Sequence, residues 1–554
     1  MRFLITLGVL CVTSQLLGQT EVHPVQVALN DGNFEQAKSL IEKIPDSDPW
    51  LGKMALAQAK RGDFNSAKNS LRQIQDSSQL TQASGEIANQ AQGGGSGADF
   101  DSLINLITST VEPDSWDDVG GPGTVQSFPG GIAVDANGIV RRKKVGKASG
   151  GLELDLIRDS AKKTSDGSTA DVRASSDLRM ISLPRLEREL MLRVAFGEKP
   201  TEAMRHLAGL HEIRYLFIFP ETNDIVIAGP AASWSTNENG QAVTKTGRPV
   251  LLLDDLVTLL RNAREQNGRF GCSIDPKKKS LAATKAFLEE PTGSLKPHQT
   301  KRWVKQIRDT LGLQDISVYG VDHRSHVGHV LIEADYHMKL VGMGLEPGAG
   351  DLKSYLAMIP ANAIPTSMDV MRWWFTLRPG CMRQNEKGTA FQFAKQCAQL
   401  QTENERLSND GNRTHTGNAS ELNQTFAHRF TREFPHLRRK YPIYSELENL
   451  FRMSLVAGVL QTSDVQEKVE WKADWLVDGV KSAVGIKPVE VPSIVNHRVI
   501  NRKHVVVGVS GGVTVNVANV VRNMKRVDGS ATLISSSNAA KRTVPKTDSS
   551  WWWD

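Results

Sequence analysis

Apolar residues recur along this chain in two rhythms. Over residues 25–90 they fall three and four apart, the spacing of one helix face. Asp31-Gly-Asn-Phe-Glu-Gln-Ala-Lys returns thirty residues later as Arg61-Gly-Asp-Phe-Asn-Ser-Ala-Lys. Gly32 and Gly62 mark turns, and Phe34/Phe64, Ala37/Ala67, Ile41/Leu71 and Ile44/Ile74 predict matching apolar stripes. A helical repeat-like segment is therefore expected over 24–92. Gly93-Gly-Gly-Ser-Gly97 reads as a linker. Over 99–131 the pattern predicts an amphipathic helix carrying Phe100, Leu103, Ile104 and Ile107, a stop at Pro113 and a tight GGPG turn before a strand.

From residue 132 the rhythm alternates between helix and strand, and an α/β or α+β core is expected over 132–461. A hairpin is predicted around Asn137-Gly138. Helices are expected over 183–196, 201–210, 253–265, 298–311, 422–434 and 444–460, and another over 465–484. Tyr215–Phe219 and Asp224–Ala228 read as a strand pair, and further strands are expected over 316–321 and 372–375. Two hairpin signals argue for a mixed or antiparallel sheet. Over 462–530 a helix and a β-rich basic segment are expected. Over 531–554 the pattern reads as a disordered tail ending in Trp551–Trp553.

The stretch Val330–Gly344 draws the candidate chemistry. Glu333, Asp335, His337 and Lys339 occupy every second position. Read as a strand, they share one face, with Asp335 and Lys339 about 13 Å apart. Arg248 and Arg372 are the partners expected to meet them. Arg248, Glu333, Asp335, Lys339 and Arg372 are the candidate ligand-binding set, and Asp335 and Lys339 the candidate catalytic residues, Asp335 as a general base. A salt-bridge lattice that only orients the sheet explains the same residues. His323, His326 and His329 are weak metal candidates, since their spacing matches no standard zinc pattern. Gly508-Val-Ser-Gly-Gly512 lacks the spacing of a nucleophile elbow and reads as a turn or bulge. No cofactor is expected.

Composition adds location and charge. Arg2, the apolar run Phe3–Leu17 and small Gly18 read as a secretory signal over 1–19, with an uncleaved anchor as the alternative. Leu10 before Cys11 does not fit a lipoprotein signal. Export with a soluble periplasmic or extracellular product is expected. Cys272, Cys381 and Cys397 then remain, an odd number. Either Cys381 pairs with Cys397 or all three are free thiols. The net charge is +6, and 497–546 holds nine Lys/Arg against Asp528, so the remainder is close to neutral. That segment suits an anionic surface, or serves only as a solvated face. Nucleic acid is an unlikely partner, because no aromatic-interleaved basic sheet or finger motif is present.

The repeats resemble tetratricopeptide-type hairpins, which implies a protein-interaction module or a cap. Asp99–Val134 closely resembles a segment that recurs in planctomycete envelope proteins, including secretin-like ones. From about 130 to 461 the chain resembles an exported planctomycete family catalogued only as a domain of unknown function. The residues that carry this are Leu207-Ala-Gly-Leu210, Ile225–Pro230, Thr246-Gly-Arg-Pro249, Leu253-Asp-Asp-Leu256, Cys272-Ser-Ile-Asp-Pro276, Glu333–Lys339, Arg372-Trp-Trp-Phe375 and Tyr444–Leu450. The resemblance implies secretion and a shared fold and supplies no activity. The function expected is that of an exported envelope protein that binds a partner or ligand. Other envelope proteins are the expected partners, through the helical segment and Trp551–Trp553. The alternative is an exported hydrolase-like enzyme with its site on 330–344.

Overall fold

The structure is a computed structural model of the chain. It describes residues 23–91, 124–128, 131–135, 171–237, 240–289, 297–362, 369–480, 485–500, 503–527, 536–538, 540–541, 543 and 551–554. The linker at 93–97, the helix expected after 99, the Asn137-Gly138 turn and the signal segment lie outside these. The chain is α+β and divides into two units: Met1–Gly95 with Met191–Glu198, and Ser96–Leu190 with Lys199–Asp554.

The first unit is helical over 24–91. Pro24–Asp31 ends at Gly32, whose φ of 74° lets the chain reverse at once into Phe34–Ile41. Asp48–Lys60 and Phe64–Gln73 repeat this around Gly62, and Ser77–Ala91 follows. Each second helix is capped alike: Asn33 accepts from the Gln36 N–H and Asp63 from the Ser66 N–H. Ala37/Ala67 and Ile41/Leu71 are buried as the repeat predicts, whereas Phe64 is exposed.

The second unit contains two large sheets. The smaller orders its strands Lys525–Arg526, Met382–Gln384, Ala390–Phe393, Tyr215–Phe219, Asp224–Ala231, Ser176–Ser182, Trp552–Trp553. Its centre is the expected hairpin, turned through Asn223 in the left-handed region. Its edge corrects the reading of a disordered tail at residues 551–554. Trp552 and Trp553 pair antiparallel with Ile181 and Met180, and all three terminal indoles are buried. Arg179, itself fully buried, lies over the Trp552 ring and binds both Asp554 carboxylate oxygens at 2.8 and 2.9 Å. The tryptophans are thus engaged by their own chain. Asp554→Ala leaves that guanidinium without its counter-charge and should cost about 1–3 kcal/mol, read as a drop in urea midpoint.

The larger sheet orders Arg413–His415, Ala398–Leu407, Asp369–Leu377, Lys503–Asn516, Arg269–Pro276, Leu313–Tyr319, Glu490–Pro492. Lys503–Asn516 organises it. Its first residues pair with Asn496–Ile500, its middle runs parallel to Asp369–Phe375, and its last six residues pair with Arg269–Ile274. The Gly508–Gly512 stretch is therefore strand interior, not a turn. At Gly511 a methyl group would fall 1.6 Å from the Trp373 carbonyl, so the close approach of the two strands requires glycine.

One face of this sheet is covered by helices. Trp373 and Phe375 point into a cluster with Phe426, Phe430, Phe434 and Tyr444. Glu421–Lys440 carries the phenylalanines, and Pro442–Leu460 is buried along nearly its whole length. The third helix against this face is His326–Gly342, which replaces the strand expected at 330–344. Ser325 caps it, accepting from the Gly328 N–H. Val327, Val330, Leu331, Ala334, Met338 and Val341 are buried at helical spacing. The charges at alternate positions hid that period. The helix expected over 201–210 is a short turn, Glu202–Arg205, followed by a 3₁₀ turn. That over 465–484 is reduced to Ser463–Gln466 and Asp474–Gly479.

Candidate functional site

The helix brings Asp335 and Lys339 together, since positions four apart lie one above the other. Lys339 Nζ donates to Asp335 Oδ2 at 2.8 Å and to the Ile274 carbonyl at 3.1 Å, and both side chains have no exposed surface. Burial pushes the Asp335 carboxyl up to about 6 in spite of Lys339. Cys272 is equally buried, and its thiol is pushed up by burial and then by Asp335. In this conformation the pair ties the helix to the Arg269–Pro276 strand from inside the core.

The other candidates are dispersed. Glu333 is on the exposed side of the helix. Arg248 is exposed in a turn, its N–H donating to Thr244 Oγ1. Its charge is felt at His211, which burial and then Arg248 hold down at about 4. His326 Nδ1 lies 3.0 Å from both Asp255 oxygens, and His329 Nε2 is 2.7 Å from the Ile486 carbonyl. These two histidines are committed to different partners and do not form a common cluster with His323. Cys272, Cys381 and Cys397 are free and buried, so the disulfide alternative is not realised.

Arg372 leads to a different place. It lies on the sheet face opposite Trp373, in register with Glu403 on one side and Ser510 on the other. Its Nη1 donates to Glu403 Oε1 at 3.1 Å, and its guanidinium lies 4.7 Å from the ring centre of half-buried Trp374. Ser510 Oγ donates to Glu405 Oε2 at 2.9 Å, and Arg413 reaches the same oxygen at 3.2 Å. Arg413 also donates to Asp275 at 2.7 Å.

That last contact measures the shape of the sheet. Arg413 and Asp275 belong to strands four steps apart in the sheet. A flat sheet would separate them by about 19 Å, more than the two side chains span. The sheet must therefore curl, with the polar face on its concave side. Five strands contribute to the resulting trough: Asp275, Ser510, Arg372, Glu403 with Glu405, and Arg413 with His415. Three carboxylates face two guanidiniums there. Burial opposes ionisation of Glu403, but Arg372, the Gly417 N–H and His415 outweigh it and hold its carboxyl below the usual range.

The chain is thus an α+β protein with a concave polar sheet face and a buried ion pair behind it. Residues 272–355 match a family model described as a protein of unknown function, DUF1598. The match takes in Asp275 and the His326–Gly342 helix, and the other trough residues lie beyond it. Comparisons with curated proteins and with solved structures gave no match.

A sequence signal for this trough exists. Glu403 and Glu405 alternate within Ala398–Leu407, and Asp410-Gly411 marks a hairpin turn that returns His415 opposite Glu405. What joins them to Arg372 and Ser510 is strand register, which no local pattern reveals.

Proposed function

We propose that this chain is an exported envelope protein that binds a partner or ligand, and that the concave polar face of the larger sheet is its binding surface. The observation that carries this is the trough itself. Charged and hydrogen-bonding groups from five strands converge there, with the Trp374 ring beside them, on the sheet face turned away from the helical core. Export rests on the Arg2–Gly18 pattern and the resemblance of about 130–461 to an exported family of unknown function, and envelope location on the resemblance of 99–134 to a segment of planctomycete envelope proteins. No helix among the described residues is long and apolar enough to cross a membrane. The hairpins of 24–91 suit a protein partner. A binding role fits better than hydrolysis at Asp335 and Lys339, because neither side chain has any surface for a substrate to touch.

The test is retention of a component from an envelope extract by the immobilised full chain, compared with Trp374→Ala. Wild type should retain a component that the variant releases, while both unfold at similar temperatures. Equal retention by the two, or none by either, would overturn the assignment of this face.

A further inference from the structure

We infer that Glu403, Glu405 and His415 form a binding site for a divalent transition cation, Zn²⁺ or Mn²⁺. The inference rests on the reading of the trough as a binding surface and names what that surface would hold. His415 Nδ1 lies 2.9 Å from Glu403 Oε1 and 3.2 Å from Glu405 Oε1, and the three donor atoms lie within 4.8 Å of one another. Donors bound to one ion at about 2.1 Å sit about 3.0 Å apart at neighbouring octahedral positions and about 3.4 Å apart in a tetrahedron. The two histidine–carboxylate separations fall close to that range.

A second observation concerns the satisfaction of one of these oxygens rather than its spacing. Glu405 is buried, its side chain has no exposed surface, and its Oε1 has no hydrogen-bond partner. That oxygen faces His415 Nδ1, which is within hydrogen-bonding distance of Glu403. A buried carboxylate oxygen left without a donor is costly unless something else supplies positive charge. The guanidiniums do not fully supply it: Arg372 and Arg413 face Glu403, Glu405 and Asp275, one negative charge in excess, with the His415 imidazole beside that oxygen.

The surroundings are those of oriented ligands. Glu405 Oε2 is held by Ser510 and Arg413, and Glu403 Oε2 accepts from the Gly417 N–H. Each carboxylate therefore presents its Oε1 toward the imidazole, as outer partners do for metal-binding side chains. His415, with its side chain 62% exposed, leaves a path for the ion from solvent. One nitrogen and two oxygen donors suit Zn²⁺ or Mn²⁺ better than Ca²⁺, which prefers six or more oxygens. Glu403 Oε1 also accepts from Arg372, so the ion would share that oxygen with the guanidinium.

The test is calorimetric titration of the chelator-treated full chain with Zn²⁺ and with Mn²⁺, alongside His415→Ala and Glu405→Gln. One ion per chain should bind to wild type, with affinity more than about 10-fold lower in each variant. His415→Ala alters an exposed side chain on a short edge strand, so its near-ultraviolet dichroism should match wild type. Absence of binding of either metal, or equal affinity in wild type and His415→Ala, would overturn the site. Loss of metal binding with Trp374-dependent retention intact would overturn this inference alone; metal binding without that retention would overturn only the binding-surface reading.

Discussion

Glu448→Ala should destabilise the second unit by about 3–5 kcal/mol, the cost of breaking a buried ion pair by removing one partner. Glu448 and Arg452 lie one turn apart on Pro442–Leu460, and neither side chain is exposed. Arg452 Nε donates to Glu448 at 3.0 Å, and its two other nitrogens donate to the Ile213 and Ala394 carbonyls at 2.7 and 2.8 Å. Glu448 in turn accepts from the Cys397 and Ala398 N–H groups at 2.7 and 3.1 Å. Removing the carboxylate orphans two backbone donors and takes the nearer of two counter-charges from the guanidinium, leaving Glu212 at 3.3 Å. Burial works against the charged Arg452, but Glu448 and its neighbours more than compensate, so it stays protonated and offers no neutral escape. Chemical denaturation should show the loss as a lower midpoint at unchanged slope. A change below about 1 kcal/mol would mean that solvent reaches this pair.

The second large effect is of pH. Burial raises Asp335 and Asp254 from 3.8 to about 6 and Glu187 from 4.5 to about 7. Each binds its proton more tightly in the folded chain than in the unfolded one. Their stabilising contribution is therefore complete below about pH 4 and is lost as pH rises through 6 to 7. For Asp335 alone the difference is on the order of 3 kcal/mol. Acids held low, such as Glu403, Glu433 and Asp322, act oppositely and lose their contribution below their ordinary range. Thermal stability should accordingly peak near pH 5 and decline toward pH 8. Scanning calorimetry across that interval tests this, with Asp335→Asn expected to flatten the decline. A flat wild-type profile, or an unchanged slope in the variant, would count against it.

Much of the secondary structure is readable locally. The Gly32 and Gly62 turns are followed by capping Asn33 and Asp63, and Leu253–Gln266 shows the periodicity of its buried face. Tyr215–Phe219 and Asp224–Ala231 are β-rich on both sides of a turn. That His326–Gly342 is a helix and not the strand its pattern predicts has a specific cause. Asp335 and Lys339 satisfy each other inside the core, so two charges occupy positions where helical patterning expects apolar residues. What remained was an apparent alternation. The sequence reads Arg372 as a partner for Asp335 and Lys339; the neighbours it has in the structure, Glu403 and Ser510, are not legible locally, because they come from strands set beside it by register. The trough depends further on how far the sheet curls, a tertiary property that the Arg413–Asp275 contact reports.

The Lys503–Asn516 strand has a consequence for the order in which the molecule can be made. It inserts between Asp369–Leu377 and Arg269–Pro276, strands that precede it by more than a hundred residues in the chain. Until it arrives, both flanking strands present unpaired backbone to one another or to other molecules. A chain synthesised only as far as about residue 500 would hold the larger sheet in two halves, with the closing step dominated by distant contacts and correspondingly slow. Nascent and truncated forms should thus be the species most prone to associate edge to edge, and most in need of a chaperone.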